Sequence, residues 1–391
     1  MKIAVLACSN IWGGAEVHAV GLIRVLRQRG HEAIIYGLDD ITQALYDKMA
    51  PEARPIASLS VNSRGFLSCF LTLKKIKAQA CVFVKGTLNA GGLALDLAAR
   101  TRFRRYITIE QLEPPTLPKR SSKRYLGGML PGLGIWWYRY FLRGFLRSVG
   151  PHRVVGCSVA VKQKLTGNYK FPDDKVVAVC NGVDLEQFCF DAGRREETRR
   201  KWGIPDDALV FGSVRRLCWE KGLDLAIAAF AKLVAKFPDR NLTLVLVGEG
   251  PDKMALQEQA CKLGIEKRVH FLGFDPNPSK LYPAIDVFLM PSRWEAFGIA
   301  LVEAMASGCI CIGSRVGGIP EIISHPSLGW LVDLDNKDDL LNAMSAATVL
   351  NETDRKEMIR RNREYVKENF EAGTQFSKTA KIIENHCIRK G

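Results

Sequence analysis

The chain has 391 residues, 47% hydrophobic, 9% aromatic and 25% charged, which is ordinary globular composition and, at ~100–200 residues per domain, enough for two domains. Disorder, a fibrous repeat and a membrane-spanning helix are excluded, the last because Gly, Pro, Lys or Arg interrupts every apolar run short of the roughly 18–20 residues a span needs. The formal charge of +15 lies in the N-terminal half, where 27 Lys and Arg stand against 12 Asp and Glu through Leu185, with 29 against 29 beyond it; that half is expected to face something acidic.

Ile3–Cys8 is a short apolar run without alternation, followed by Gly13-Gly14 and then Val17, Val20, Ile23 and Leu26 at helical spacing, which predicts a βα unit. As an export signal, Met1–Cys8 has too little positive charge and too short an apolar core. Further buried strands are predicted at Ala33–Tyr36, Cys81–Val84, Tyr106–Ile109, Val154–Cys157 and Val176–Val179. The charged stretch Arg194–Lys201 predicts a linker near residues 186–200. The rhythm then restarts with strands at Leu209–Val214, Leu242–Val247, Val269–Phe271, Val287–Met290, Cys309–Ile312 and Trp330–Val332, and with a helix carrying Leu223, Ile227, Phe230, Leu233, Val234 and Phe237 on one stripe. Apolar strands alternating with helices predict two α/β, doubly wound parallel-sheet domains. Eleven cysteines without a C-x-x-C pair, most of them in apolar runs, predict reduced thiols and a cytoplasmic protein.

Two carboxylates, Glu295 and Glu303, straddle a helix start in Trp294-Glu295-Ala296-Phe297-Gly298-Ile299-Ala300-Leu301-Val302-Glu303. At ~1.5 Å per helical residue they stand on the order of 10 Å apart, a separation that suits the sugar and ribose ends of a nucleotide sugar. The amides of Phe297, Gly298 and Ile299 fall at a helix N-terminus, where unpaired N–H groups and the dipole favour an anion. Each carboxylate taken alone reads equally well as a cap or a solvated residue. In Arg215-Arg216-Leu217-Cys218-Trp219-Glu220-Lys221-Gly222, between a strand and a helix, Arg216 and Lys221 suit one diphosphate, although a surface basic pair fits the same residues. Three glycine loops, Gly13-Gly14-Ala15-Glu16, Gly248-Glu249-Gly250-Pro251 and Gly317-Gly318-Ile319-Pro320-Glu321, each follow a strand and open a helix, where backbone approaches phosphate. None is a G-x-G-x-x-G or Walker loop. Asp333-Leu334-Asp335, the one D-x-D, reads as a solvated turn.

These segments, with Asn181-Gly182-Val183-Asp184, occur in one order along almost the whole chain, and the sequence strongly resembles glycosyltransferase family 4, retaining enzymes with the GT-B fold. The resemblance implies two Rossmann-like domains facing each other across a cleft: residues 1–185, with a C-terminal helix at 372–391 packing back on them, bind the acceptor, and residues 186–371 bind the donor. It implies that Arg216 and Lys221 hold the diphosphate, Glu295 the donor sugar and Glu303 the ribose, and that Gly14 lies against the phosphates. Phe297, Gly298, Ile299, Gly248 and Gly250 complete the donor candidates. A nucleotide sugar as co-substrate with no metal or other cofactor is expected. Family members commonly carry a histidine after the strand matching Tyr106–Ile109; here Glu110 or Gln111 occupies that place, and His18 is a third acceptor-side candidate, though a helix-face histidine is more often structural.

Arg100–Arg147 contains eleven Lys and Arg and two acids, interleaved with Trp136, Trp137, Tyr140, Phe141 and Phe145, a pattern that suits an anionic membrane surface as well as a core helix with a basic face. The combined expectation is a peripheral enzyme on the cytoplasmic membrane that transfers sugar to a glycan or lipid-linked acceptor in cell-envelope polysaccharide or lipopolysaccharide synthesis. The alternatives are another enzyme on the same fold, such as a phosphorylase or sugar-nucleotide epimerase, and a basic nucleic-acid-binding protein. No RRM, helix-turn-helix or finger signature supports the last, so nucleic acid is not an expected partner.

Overall fold

A computed structural model describes residues 1–8, 14–59, 66–85, 92–103, 105–111, 151–336 and 338–388. The chain divides into two units, Met1–Asn181 with Gly373–Gly391, and Gly182–Ala372. Each is built on a sheet whose strand pairs are all parallel.

In unit 1 the strands β1 (Lys2–Ala7), β2 (Glu32–Gly37), β3 (Ile56–Ser58), β4 (Ala80–Lys85), β5 (Tyr106–Glu110), β6 (Arg153–Gly156) and β7 (Val176–Ala178) lie in the order β3-β2-β1-β4-β5-β6-β7. The central strands are buried along nearly their whole length, which is why their sequences are apolar runs without alternation. The edge strand β3 has only three residues and lacks such a signature. The helices are α1 (Gly14–Gln28), α2 (Asp40–Met49), α3 (Phe66–Lys74), α4 (Gly92–Arg102) and α5 (Val159–Gly167). On α1 the inward face carries His18, Leu22 and Leu26, whereas Val17, expected on the apolar stripe, is exposed.

Unit 2 carries β8 (Leu209–Val214), β9 (Leu242–Val247), β10 (Val269–Gly273), β11 (Val287–Met290), β12 (Ile310–Ser314) and β13 (Trp330–Val332) in the order β10-β9-β8-β11-β12-β13. The segment expected to be a linker forms helix α6 (Ala192–Trp202). Its charges made it look solvated, but Arg199 is buried, donating to the carbonyls of Ala284, Asp206 and Ala208 and to Asp286 Oδ2 at 2.7 Å, while Arg195 takes the other oxygen of Asp286 at 2.6 Å. Carbonyls and a carboxylate supplied from outside the helix satisfy cations that composition alone places in water. The remaining helices of the unit are α7 (Leu223–Lys236), α8 (Lys253–Lys262), α9 (Ile299–Ala306), α10 (Ile319–Ile322), α11 (Asp339–Val349) and α12 (Glu352–Phe370). Ile227, Phe230 and Leu233 of α7 and Met344 of α11 share one core with Phe211, Leu244 and Leu289 of the sheet.

Helix α13 (Ala372–Ile388) carries the chain back to unit 1. Glu384 accepts from Arg29 at 2.6 Å and lies 2.8 Å from His31, and the ring of Phe376 occupies the space beside Gly21 of α1, where a Cβ would sit 2.2 Å from it. Among the described residues no helix is long and apolar enough to cross a membrane.

Candidate active site

The chemistry of unit 2 gathers at the carboxyl ends of β8 and β11, adjacent strands between which the sheet order reverses. Loops leaving such a pair diverge and open a crevice where ligands of doubly wound sheets bind. From the β8 side, Lys221 Nζ donates to Glu295 Oε2 at 3.0 Å and Arg215 Nη2 donates to the same oxygen at 2.8 Å; Arg215 Nη1 also donates to Ser292 Oγ at 2.8 Å. Burial by itself would raise the pKa of Glu295, but Lys221 and Arg215 outweigh it and hold the carboxyl below its ordinary range. Arg293 ties the two loops together. It grips Asp224 through two nitrogens at 2.7 and 2.6 Å, donates to the Trp219 carbonyl at 2.7 Å and stacks on the Trp219 ring, 4.7 Å from its centroid.

The structure therefore brings Lys221 and Glu295 together and adds Arg215, while Arg216 is exposed beside Cys218 and Glu220. The arginine doublet was visible in the sequence; which member faces Glu295 was not. Glu303 lies on α9, where Tyr282 donates its hydroxyl to Oε2 at 2.6 Å. Burial raises the Glu303 pKa to about 7, with the Tyr282 hydrogen bond working in the other direction. Tyr282, 21 residues upstream and in a short 3-10 turn, had no motif to mark it.

The glycines pack loop on loop. A Cβ on Gly248 would sit 2.0 Å from the Arg215 carbonyl oxygen, one on Gly250 would sit 2.1 Å from that of Leu217, and one on Gly222 would sit 1.8 Å from that of Pro291. The space a side chain would take at Gly248 and Gly250 is thus filled by the protein's own backbone, which presses the 248–250 turn against the Arg215–Leu217 segment. Gly317 and Gly318 pack in the same way against the backbone of Glu295–Phe297. Gly298, at a φ of 105° that L side chains rarely adopt, leads into α9 without a side-chain cap, so the first amides of that helix keep their donor capacity beside the site. Ile299 is the first residue of α9, and Phe297 is buried against Phe370 at 5.6 Å between ring centroids. Among the described residues no cluster of metal-ligating side chains occurs, and Asp333 and Asp335 form an exposed turn closed by the Asp335 amide donating to Asp333.

In unit 1, Gly14 heads α1 with open space where a side chain would begin, no atom lying within 4 Å of the position a Cβ would take, and His18 one turn on is buried edge-on to Phe376. Burial lowers the His18 pKa to about 4, only partly opposed by Asn181, so the ring is neutral. Glu110 ends β5 in register with Lys85 at the end of β4. Lys85 is itself engaged with both oxygens of Asp96 at 2.6 Å, and Tyr106 donates to the same carboxylate. Burial raises the Glu110 pKa to about 7, with Lys85 pulling it down. Gln111 accepts from Asn181 Nδ2 at 2.7 Å. Lys85 and Asp96 carry no motif that would mark them in the sequence, because strand pairing and a helix bring them together. Of Arg100–Arg147, residues 100–102 end α4 and 106–110 form the buried strand β5; nearly all of the rest, with its tryptophans, lies outside the described residues.

Residues 12–187 match the family model for Glycosyltransferase Family 4, and residues 194–365 that for Glycosyl transferases group 1. The chain is 37% identical over 180 residues to the D-inositol 3-phosphate glycosyltransferase of Corynebacterium glutamicum, a match covering 44% of this chain and 43% of that protein. It spans about half the length of the curated relatives it matches. Among solved structures, it resembles Anabaena HepE in complex with UDP-glucose, with a TM-score of 0.79 at 20% identity over 98% of this chain and 100% of that one. It also resembles WaaG, a glycosyltransferase involved in lipopolysaccharide biosynthesis, with a TM-score of 0.75 at 19% identity over 98% and 99%. Two family models in succession over nearly the whole sequence, on two Rossmann-like units of the GT-B fold, place the chain in glycosyltransferase family 4.

Proposed function

We propose that the protein is a retaining glycosyltransferase that moves a sugar from a nucleotide-diphosphate sugar to a glycan or lipid-linked acceptor. The observation that carries this reading is the pairing of the part-buried Lys221 and Arg215 on one oxygen of the buried Glu295, beside the N-terminus of α9 and eight residues before Glu303. Lys221, Arg216 and the α9 amides supply positive potential for the diphosphate, Glu295 receives sugar hydroxyls, and Glu303 with Tyr282 receives the ribose. Unit 1 takes the acceptor near Glu110, Gln111 and His18.

Because one oxygen of Glu295 is engaged by two cations, the carboxylate is a weak nucleophile, and the reading is front-face transfer. The bond from the anomeric carbon to the phosphate oxygen breaks as the acceptor oxygen attacks the same face, and the acceptor proton passes to the departing phosphate. The protein contributes orientation and charge stabilisation. Positive side chains and helix amides replace a metal ion at the phosphates. A role in cell-envelope glycan synthesis at the cytoplasmic membrane is supported by the basic N-terminal half and by the likeness to WaaG. A phosphorylase or epimerase on the same fold is the second reading, favoured less because both family models are those of transferases. Incubation with a panel of nucleotide sugars tests the proposal. Slow release of nucleoside diphosphate and a product that keeps the donor's anomeric configuration are expected, whereas an inverted product or no turnover of any donor contradicts it.

A further inference from the structure

Helix α3 carries an apolar face that the described residues leave exposed. Its inward side is conventional: Cys69 and Leu73, with Ile76 just beyond, pack into the core containing Phe83, Leu95 and Phe103. A second strip, at Phe66, Leu67 and Leu71, follows the one-and-four spacing of a single helix face, with Phe70 at its margin partly packed on that core. Leu67 is 66% exposed, Leu71 53% and Phe66 39%, and Phe66 stacks on the half-buried Phe70 at 6.0 Å between centroids. Single exposed apolar residues are ordinary on a protein surface; a contiguous strip on a helix whose other face is already buried marks a contact surface.

The charge around the strip selects the occupant. Lys74, Lys75 and Lys77 are exposed at its C-terminal end and form no ion pair among the described residues. No Asp or Glu occurs between Glu52 and Asp96, a stretch that holds Arg54, Arg64, Lys74, Lys75, Lys77 and Lys85. Apolar side chains that enter an acyl layer, followed by lysines with long stems that keep their ammonium groups at the level of headgroup phosphates, form a surface complementary to anionic lipid.

We infer that α3 is a membrane-docking helix, inserting Phe66, Leu67 and Leu71 into the headgroup–acyl boundary of an anionic bilayer while Lys74, Lys75 and Lys77 engage lipid phosphates. The inference rests on the part of the proposed function that makes the acceptor membrane-borne, and it assigns the contact to α3 rather than to the basic residues Lys119, Arg120, Lys123 and Arg124 of the Arg100–Arg147 stretch.

The test is co-sedimentation of the full-length protein with phosphatidylcholine vesicles, with and without phosphatidylglycerol, with donor hydrolysis measured on the same preparations. Wild-type protein is expected to pellet only with phosphatidylglycerol. Leu67→Ser/Leu71→Ser should reduce the bound fraction by roughly tenfold or more, and Lys74→Gln/Lys75→Gln/Lys77→Gln should abolish most of its salt dependence. Both sets of positions are exposed, so melting temperature and donor hydrolysis should match wild type. The inference is overturned if wild type stays in the supernatant, if both α3 variants pellet like wild type while replacing Lys119, Arg120, Lys123 and Arg124 releases the protein, or if the leucine variant instead abolishes self-association measured by ultracentrifugation. Vesicle binding without turnover of any donor would defeat the proposed reaction and leave the docking surface standing.

Discussion

Lys221 and Glu295, 74 residues apart in the chain, meet at 3.0 Å on a carboxylate oxygen that Arg215 also holds. Sharing makes the three residues unequal. Glu295→Ala leaves two cations facing each other in a buried site and should cost roughly 3–5 kcal/mol, whereas Lys221→Ala leaves Glu295 with Arg215 and should cost distinctly less. Urea unfolding of the two variants checks this, and equal losses would mean that Arg215 does not carry the pairing.

On the proposed roles, Lys221→Ala and Arg216→Ala should each lower transfer by at least roughly a hundredfold, since one charge donor at a departing oxyanion is worth ~3 kcal/mol. Arg216 is exposed, so its variant should melt as wild type does; Arg215→Ala should lose both activity and stability. Near-wild-type turnover of Lys221→Ala and Arg216→Ala would remove the diphosphate assignment.

Glu303→Gln should weaken binding of the bare nucleoside diphosphate, and Glu295→Gln should mainly lower turnover, because the proposal puts ribose on the first and sugar on the second. Calorimetric titration separates the two. Equal losses of affinity would contradict the division of roles.

Burial raises the Glu110 pKa to about 7, against ~4.3 for an exposed glutamate, so the folded state keeps a proton that the unfolded chain has released. The stability tied to this raised value is fully present below about pH 4 and is lost as pH rises toward 7. Glutamine is neutral throughout. The stability of Glu110→Gln relative to wild type should therefore grow by about 1.4 kcal/mol per pH unit between roughly pH 4.5 and 7 and level off above. His18, lowered to about 4 by burial, acts with the opposite slope, but it is present in both proteins and cancels from the difference. A pH-independent difference in urea unfolding would show that Glu110 is ionised in the fold.

Chelation should leave transfer unchanged if, as proposed, Lys221, Arg216 and the α9 amides supply the positive potential that a divalent ion would bring to a diphosphate. Loss of activity in EDTA with recovery on adding magnesium or manganese would overturn the metal-independent reading.

The strands were legible in the sequence because a parallel sheet buries both faces of its central strands, so Val287–Met290 or Leu242–Val247 has no alternation to misread. The Glu295–Glu303 spacing was legible because it is local to one turn and one short helix. Partners distant in sequence were not legible. Arg215 and Arg216 leave the end of β8 in different directions, and a carboxylate 80 residues away decides which is buried. The same distance effect turned a charged stretch into helix α6, since carbonyls and Asp286, all from outside the helix, receive Arg199 and Arg195. It also gave Gly248 and Gly250 a steric role, as the backbone filling their missing side-chain space belongs to another loop. Sequence alone determined the features set by burial and by neighbours a few residues apart; the tertiary structure decided which charges meet, because that depends on loops brought together only when the sheet closes their strands side by side.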